Sequence, residues 1–150
     1  MPEVIFAGPD GRLEGRYHPS DDPQAPCALI LSPHPKAGGH MDHRIPVAMY
    51  ESYKRRGFSV LRFNFRGIGR SMGVYDNGQG ELQDAAYALD WLQSFNQNAP
   101  FSWVSGYSFG AWIGMQLLMR RPEVAGFISM SLPTNTYDFA FLAPCPASGL

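Results

Sequence analysis

The sequence predicts an α/β fold, a mostly parallel sheet with helices on both faces. Three observations carry this. Cys27-Ala-Leu-Ile-Leu31 is apolar throughout, with no alternation, as in a strand covered on both faces. From residue 27 onward, strand-like and helix-like patterns alternate, which is the order of a parallel sheet with helical crossovers. One stretch, Phe101 to Arg120, reads as a buried strand that turns through a single corner residue into a buried helix.

The elements follow in order. Val4–Ala7 and Leu13–Tyr17 are short strands around Gly8-Pro9-Asp10-Gly11, a turn in which proline presets one dihedral and glycine accepts the unusual one. They form an opening hairpin. His18–Pro26 is polar and proline-rich, a surface connection leading to the strand Cys27–Leu31. Ser32–His43 is a long loop holding three of the four histidines. Arg44–Arg56 is a helix with Val47, Ala48, Tyr50 and Tyr53 on its apolar face, stopped by Gly57. Ser59–Phe65 is the next strand, followed by the glycine-rich loop Arg66–Gly73. Gly80–Phe95 places Leu82, Ala85, Ala86, Leu89, Trp91 and Leu92 at mostly helical spacing. Pro122 closes the helix that begins after Ser108. Val124–Met130 is a further strand, and residues 131–149 are irregular.

Composition narrows the function classes. The 150 residues are one domain's worth of chain, and 45% of them are apolar, enough for a core. A net charge of -1 argues against a nucleic-acid surface. No run is long and apolar enough to span a bilayer, and the N-terminus lacks a signal-peptide pattern. Cys27 and Cys145 make no disulfide framework. A cytoplasmic setting is the expectation, with neither nucleic acid nor membrane as a partner. Homo-oligomerisation is left open.

The corner carries the chemistry. Gly106-Tyr107-Ser108-Phe109-Gly110 matches G-x-S-x-G, in which a serine on a strained strand-to-helix turn stands clear of the sheet. Side chains at Gly106 and Gly110 would collide where the two backbones meet, and Gly114 is read as keeping the same helix face slim. The Phe109 N–H, at a helix start, is placed to hold negative charge developing on a substrate oxygen. A second donor is expected from the loop after the third strand, Ser32-Pro-His-Pro-Lys-Ala-Gly-Gly39. Pro35 has no N–H, so Lys36 is the first candidate and Ala37 the second, with Gly38 and Gly39 letting the backbone bend close.

His34-Pro-Lys-Ala-Gly-Gly39, Phe65-Arg-Gly-Ile-Gly-Arg-Ser71 and Gly106-Tyr-Ser-Phe-Gly110 together resemble three landmarks of the α/β-hydrolase superfamily, in order and after the right strands. Within it the chain resembles small bacterial enzymes related to dienelactone hydrolase and short acyl-peptidase-like hydrolases. The resemblance covers about residues 13–150. It implies a parallel sheet with the nucleophile strand beside the oxyanion-loop strand. It also implies a serine hydrolase that acts on a small-molecule ester, thioester or amide through an acyl-enzyme on Ser108, without a cofactor. The Arg66–Ser71 loop is read as structural, bracing the oxyanion loop.

The departure from the family lies after Ser108. A triad runs serine, acid, histidine along the chain, yet only Glu123 and Asp138 follow as acids, and no histidine follows. Asp138 is a candidate acid, and His34 either a base or an anchor of its loop. The expectation is therefore a hydrolase domain over 1–150, incomplete at its C-terminus, with Pro144–Leu150 approaching another parallel strand. Two further strand–helix units would add about 60 residues or more. Two alternatives stand beside it. One is a hydrolase-like scaffold without catalysis. The other is a metal-dependent hydrolase that uses His34, His40 and His43 with Asp42.

Overall fold

A computed structural model describes residues 3–142 and 147–150. Cys145, one of the two cysteines read from the sequence, lies outside the described residues. Seven strands form one sheet in the order β1-β2-β4-β3-β5-β6-β7. The hairpin of β1 (Glu3–Gly8) and β2 (Gly11–His18) is antiparallel and joins β4 (Ser59–Phe63) antiparallel. From β4 the sheet is parallel through β3 (Cys27–Leu31), β5 (Ser102–Tyr107), β6 (Val124–Met130) and β7 (Ser148–Gly149). β5, the strand that leads to Ser108, therefore sits beside β3, which leads into the loop of residues 32–39, the strand arrangement that the resemblance implies.

The continuous apolar run of β3 is buried at all five residues. Cys27, Leu29 and Leu31 enter the larger core, together with residues of α2 (Gln79–Ser94) and α3 (Phe109–Arg120). Ala28 and Ile30 point the other way, into a smaller core with Met49, Tyr50 and Tyr53 of α1 (Arg44–Arg55). This two-sided burial explains why the strand shows no alternation. Cys27 is a buried, unpaired thiol beside Ser102, and burial pushes its pKa up, consistent with packing and not reactivity.

Three sequence expectations shift. The buried face of α1 is Pro46, Met49, Tyr50 and Tyr53, while Ala48 is exposed. The i, i+3, i+4, i+7 spacing of that set fits a helix face better than the set first read. β4 ends at Phe63, because Asn64 turns its side chain to accept the Met41 N–H and to donate to Glu14. The third concerns α2, whose buried face includes the acids Glu81 and Asp84 as well as its apolar residues. The smaller core is only partly covered: an apolar groove of about 480 Å³ beside α1 is lined by Met49, Tyr53, Phe58, Trp103, Ile128 and Met130 among others. The approach to another parallel strand is visible as β7, two residues paired with β6.

Candidate active site

Ser108 is the hinge between β5 and α3, with φ 55° and ψ -115°. That conformation is costly for a non-glycine residue, of order 1–3 kcal/mol, and persists only where the surroundings enforce it. They do so here. The Ser108 N–H donates to the Met130 carbonyl at 2.8 Å, and its own carbonyl accepts from Trp112 N–H at 3.2 Å. A Cβ on Gly106 would strike the backbone of Gly110 and Ala111, and one on Gly110 would strike the carbonyls of Leu31 and Ser32. The corner is thus wedged between its own helix and the end of β3. Gly114 is less constrained than the sequence reading has it, since a methyl there would meet Val104 and Leu31 side chains at 3.4 and 3.5 Å, close to ordinary contact.

The serine side chain makes no capping bond to its helix. An N-cap serine usually spends its hydroxyl on the second or third helical N–H. Here the backbone turn leaves that oxygen free and half-buried at the helix start. The Phe109 N–H, first of α3, has no acceptor among the described residues. The Phe109 ring is fully buried and touches His34 (ring centroids 4.9 Å), Phe65 (5.7 Å) and Tyr75 (6.3 Å). It ties the corner to the loop opposite.

That loop is a single 3-10 turn over Pro35–Ala37, capped by His34. The Lys36 N–H donates to His34 Nδ1 at 3.0 Å, while Ala37 and Gly39 donate to the His34 carbonyl. Gly38 carries the left-handed φ of 79° that ends the turn. The Lys36 N–H is therefore occupied at rest, and a substrate oxygen has to compete for it with a neutral imidazole nitrogen. A charged oxygen is the stronger acceptor, roughly twofold, so the competition favours an oxyanion over a ground-state carbonyl.

His34 has both ring nitrogens engaged, since Nε2 lies 3.0 Å from the Tyr75 hydroxyl. Burial holds its pKa below the ordinary histidine range, partly offset by Glu81. It anchors its loop and is not poised as a base. His40 and His43 turn Nδ1 back in the same way, onto the N–H groups of Asp42 and Ile45. This corrects the metal reading. Each histidine caps the backbone two residues on, and no group of three metal-ligating side chains converges among the described residues.

The Arg66–Ser71 loop is structural, as read. The buried Arg66 guanidinium donates to both oxygens of buried Asp84, to Asp10 and to the Gly80 carbonyl. Ser71 Oγ donates to the Asn64 carbonyl at 2.7 Å and accepts the Glu14 N–H at 3.0 Å. Asp138 is exposed, and its carboxylate accepts the Ala140 N–H while its carbonyl accepts Trp112 Nε1–H. Glu123 pairs with Arg121. Four residues escape sequence reasoning: Tyr75, the buried acids Glu81 and Asp84, and Tyr107, which stacks on His43 at 5.5 Å. For the acids a signal exists, because they interrupt an otherwise apolar helical stripe. Tyr75 sits in an irregular segment and has none.

Comparison with known proteins identifies the family and the fold. The family model for the X-Pro dipeptidyl-peptidase (S15) family matches residues 15–144. A Rickettsia prowazekii protein, RP471, is 53% identical over 152 residues, covering 99% of this chain and 64% of its own length. The crystal structure of ATU1826, a candidate α/β hydrolase from Agrobacterium tumefaciens, superposes with TM-score 0.96 at 62% identity, covering 99% of this chain and 68% of that one. An α/β serine hydrolase homologue from Coxiella burnetii gives 0.89 at 30% identity, covering 99% and 71%. The chain thus spans about two thirds of the length of these relatives.

Proposed function

The chain belongs to the α/β-hydrolase superfamily, through the S15 family model it matches, and from that premise we propose that it is a serine hydrolase acting on an ester, thioester or amide. One observation carries the reading: Ser108 holds a strained positive φ at a strand-to-helix corner, with its hydroxyl not spent on capping. In the proposed reaction Ser108 Oγ bonds to the acyl carbon as its proton passes to a general base. The bond to the leaving group then breaks, and the leaving group takes a proton. Water cleaves the acyl-enzyme in a second step. The Phe109 N–H holds the oxyanion, with Lys36 N–H as the second donor once the oxyanion displaces His34 Nδ1. The substrate is a small acyl compound, and no cofactor enters.

The test is turnover of activated acyl esters by the full-length protein and its Ser108→Ala variant. Loss of a triad serine lowers turnover by about a million-fold, so the variant should fall to background. Undiminished turnover in a clean Ser108→Ala preparation overturns the reading. A second reading is a hydrolase-like scaffold that binds an acyl compound without turning it over. The observation behind it is that His34, the histidine beside the corner, has both ring nitrogens engaged. Binding without turnover in the full-length protein would favour it.

A further inference from the structure

Tyr75 has no part in the reaction above, yet it touches the loop on which that reaction depends. Its hydroxyl lies 3.0 Å from His34 Nε2, and His34 Nδ1 receives the Lys36 N–H at 3.0 Å. A neutral imidazole has one N–H and one bare nitrogen. Nδ1 accepts, so Nδ1 is bare, the ring proton sits on Nε2, and the Tyr75 oxygen accepts it. The Lys36 N–H thereby fixes the tautomer, and the tyrosine, whose hydroxyl can serve either form, fixes the orientation of the ring by holding its Nε2 end. Its ring makes a second contact with the same loop, with Lys36 Nζ 5.2 Å from the ring centroid.

Tyr75 is in turn anchored from α2. Its neighbour Asp76 donates its N–H to Glu81 Oε2 at 3.0 Å, and Gly78 donates to Oε1 at 2.8 Å. Glu81 is fully buried. A chain of hydrogen bonds thus runs from the start of α2 through the Tyr75 segment to His34 and the Lys36 backbone. The other groups bearing on His34 are Lys36 on its own loop, Glu81 on α2 and the Phe109 ring on α3. Among the described residues only Tyr75 offers Nε2 a hydrogen-bond partner.

We propose that Tyr75 is a positioning residue for acyl transfer at Ser108, setting the Lys36 backbone by holding the Nε2 end of the His34 ring so that Nδ1 faces the Lys36 N–H. The inference rests on reading residues 34–39 as the oxyanion loop. Without the hydroxyl, the Nε2 proton loses its acceptor. The ring is then free to rotate and to average its tautomers, the Lys36 N–H loses its fixed acceptor, and the turn must move. A displacement of about 1 Å in such a donor costs on the order of a hundredfold in rate.

The test is Tyr75→Phe in the full-length protein. The change removes one oxygen from a half-buried ring, so the fold should survive, with a melting temperature within a few degrees of the parent. Long-range proton–nitrogen spectra of the histidine rings, assigned with His34→Gln, report the tautomer. In the parent His34 should show a protonated Nε2 and a bare Nδ1. In the variant the two nitrogens should average, the Lys36 amide should exchange about tenfold faster or more, and fluorophosphonate should label Ser108 about ten- to a hundredfold more slowly. An unchanged His34 tautomer and Lys36 exchange rate overturn the proposal. A changed tautomer with an unchanged labelling rate overturns the positioning role. A parent that takes no label removes the serine-hydrolase reading and, with it, the role in acyl transfer, while the nuclear spectra still decide whether Tyr75 sets the loop.

Discussion

The corner at Ser108 and the loop at Lys36 face each other, yet they are held by different means. At the corner the backbone is wedged: any side chain on Gly106 or Gly110 would strike main-chain atoms of α3 or of the end of β3. At the loop the backbone is latched by side chains, through His34 to Lys36, Tyr75 to His34 and Asn64 to Met41. Wedged main chain has no alternative arrangement short of unfolding. A latched loop can exchange partners, which suits a segment whose donor must change hands between a resting imidazole and an oxyanion. Ser108, the proposed nucleophile, is thus positioned by packing, and the Lys36 N–H, the proposed second oxyanion donor, by exchangeable hydrogen bonds.

This contrast can be broken at several points, beginning with the largest expected effect. Gly110→Val drives a branched side chain into the Leu31 and Ser32 carbonyls and should cost about 3 kcal/mol or more. Chemical denaturation reads this directly, and a parent-like midpoint would mean that the corner is not wedged. Asp84→Ala leaves the Arg66 guanidinium buried with only Asp10 as a charged partner. Removing one member of a buried pair costs about 3–5 kcal/mol, and the exposed Asp10 should hold this case to about 3. Equal losses in Asp84→Ala and in a double variant that also replaces Arg66 with methionine would show that the guanidinium left behind costs nothing, and that a stranded charge is not the source of the loss.

The smallest effect belongs to the latch and depends on pH. Burial lowers the His34 pKa in the folded state, so between that value and the ordinary one, about 6.5, the unfolded chain binds more protons. Stability then rises with pH across this window. The His34 contribution is fully present above about pH 6.5 and is lost as pH falls through the depressed folded value, where a protonated Nδ1 can no longer accept from Lys36. Denaturation midpoints of the parent and His34→Gln across pH 4.5–7.5 check the sign. The parent should lose more stability than the variant on acidification, and parallel curves would remove His34 from the latch.

What was legible in the sequence follows the same division. The wedge was legible because sterics leave glycine as the only residue that fits, so Gly106 and Gly110 announce the corner. β3 and β6 were legible to their end residues because continuous apolar runs bounded by turn residues leave little freedom. The latch was not. A histidine that caps a backbone N–H two residues on looks the same in sequence as a metal ligand, and only its rotamer separates them, so the loop histidines supported a metal reading. Asp84 interrupts an apolar helical stripe, but its partner Arg66, 18 positions away, is not legible until the fold brings the two together. Half of the α1 face was misread, with Val47 and Ala48 in place of Pro46 and Met49, and alanine is compatible with either side of a helix.

Acyl transfer as proposed rests on Ser108 Oγ as the atom that takes the acyl group. The decisive measurement is the intact mass and peptide map of the full-length protein after exposure to a fluorophosphonate, beside Ser108→Ala treated alike. A single adduct on the peptide carrying Ser108, absent from the variant, is the predicted result. An unmodified parent, or a variant labelled to the same extent, would contradict it.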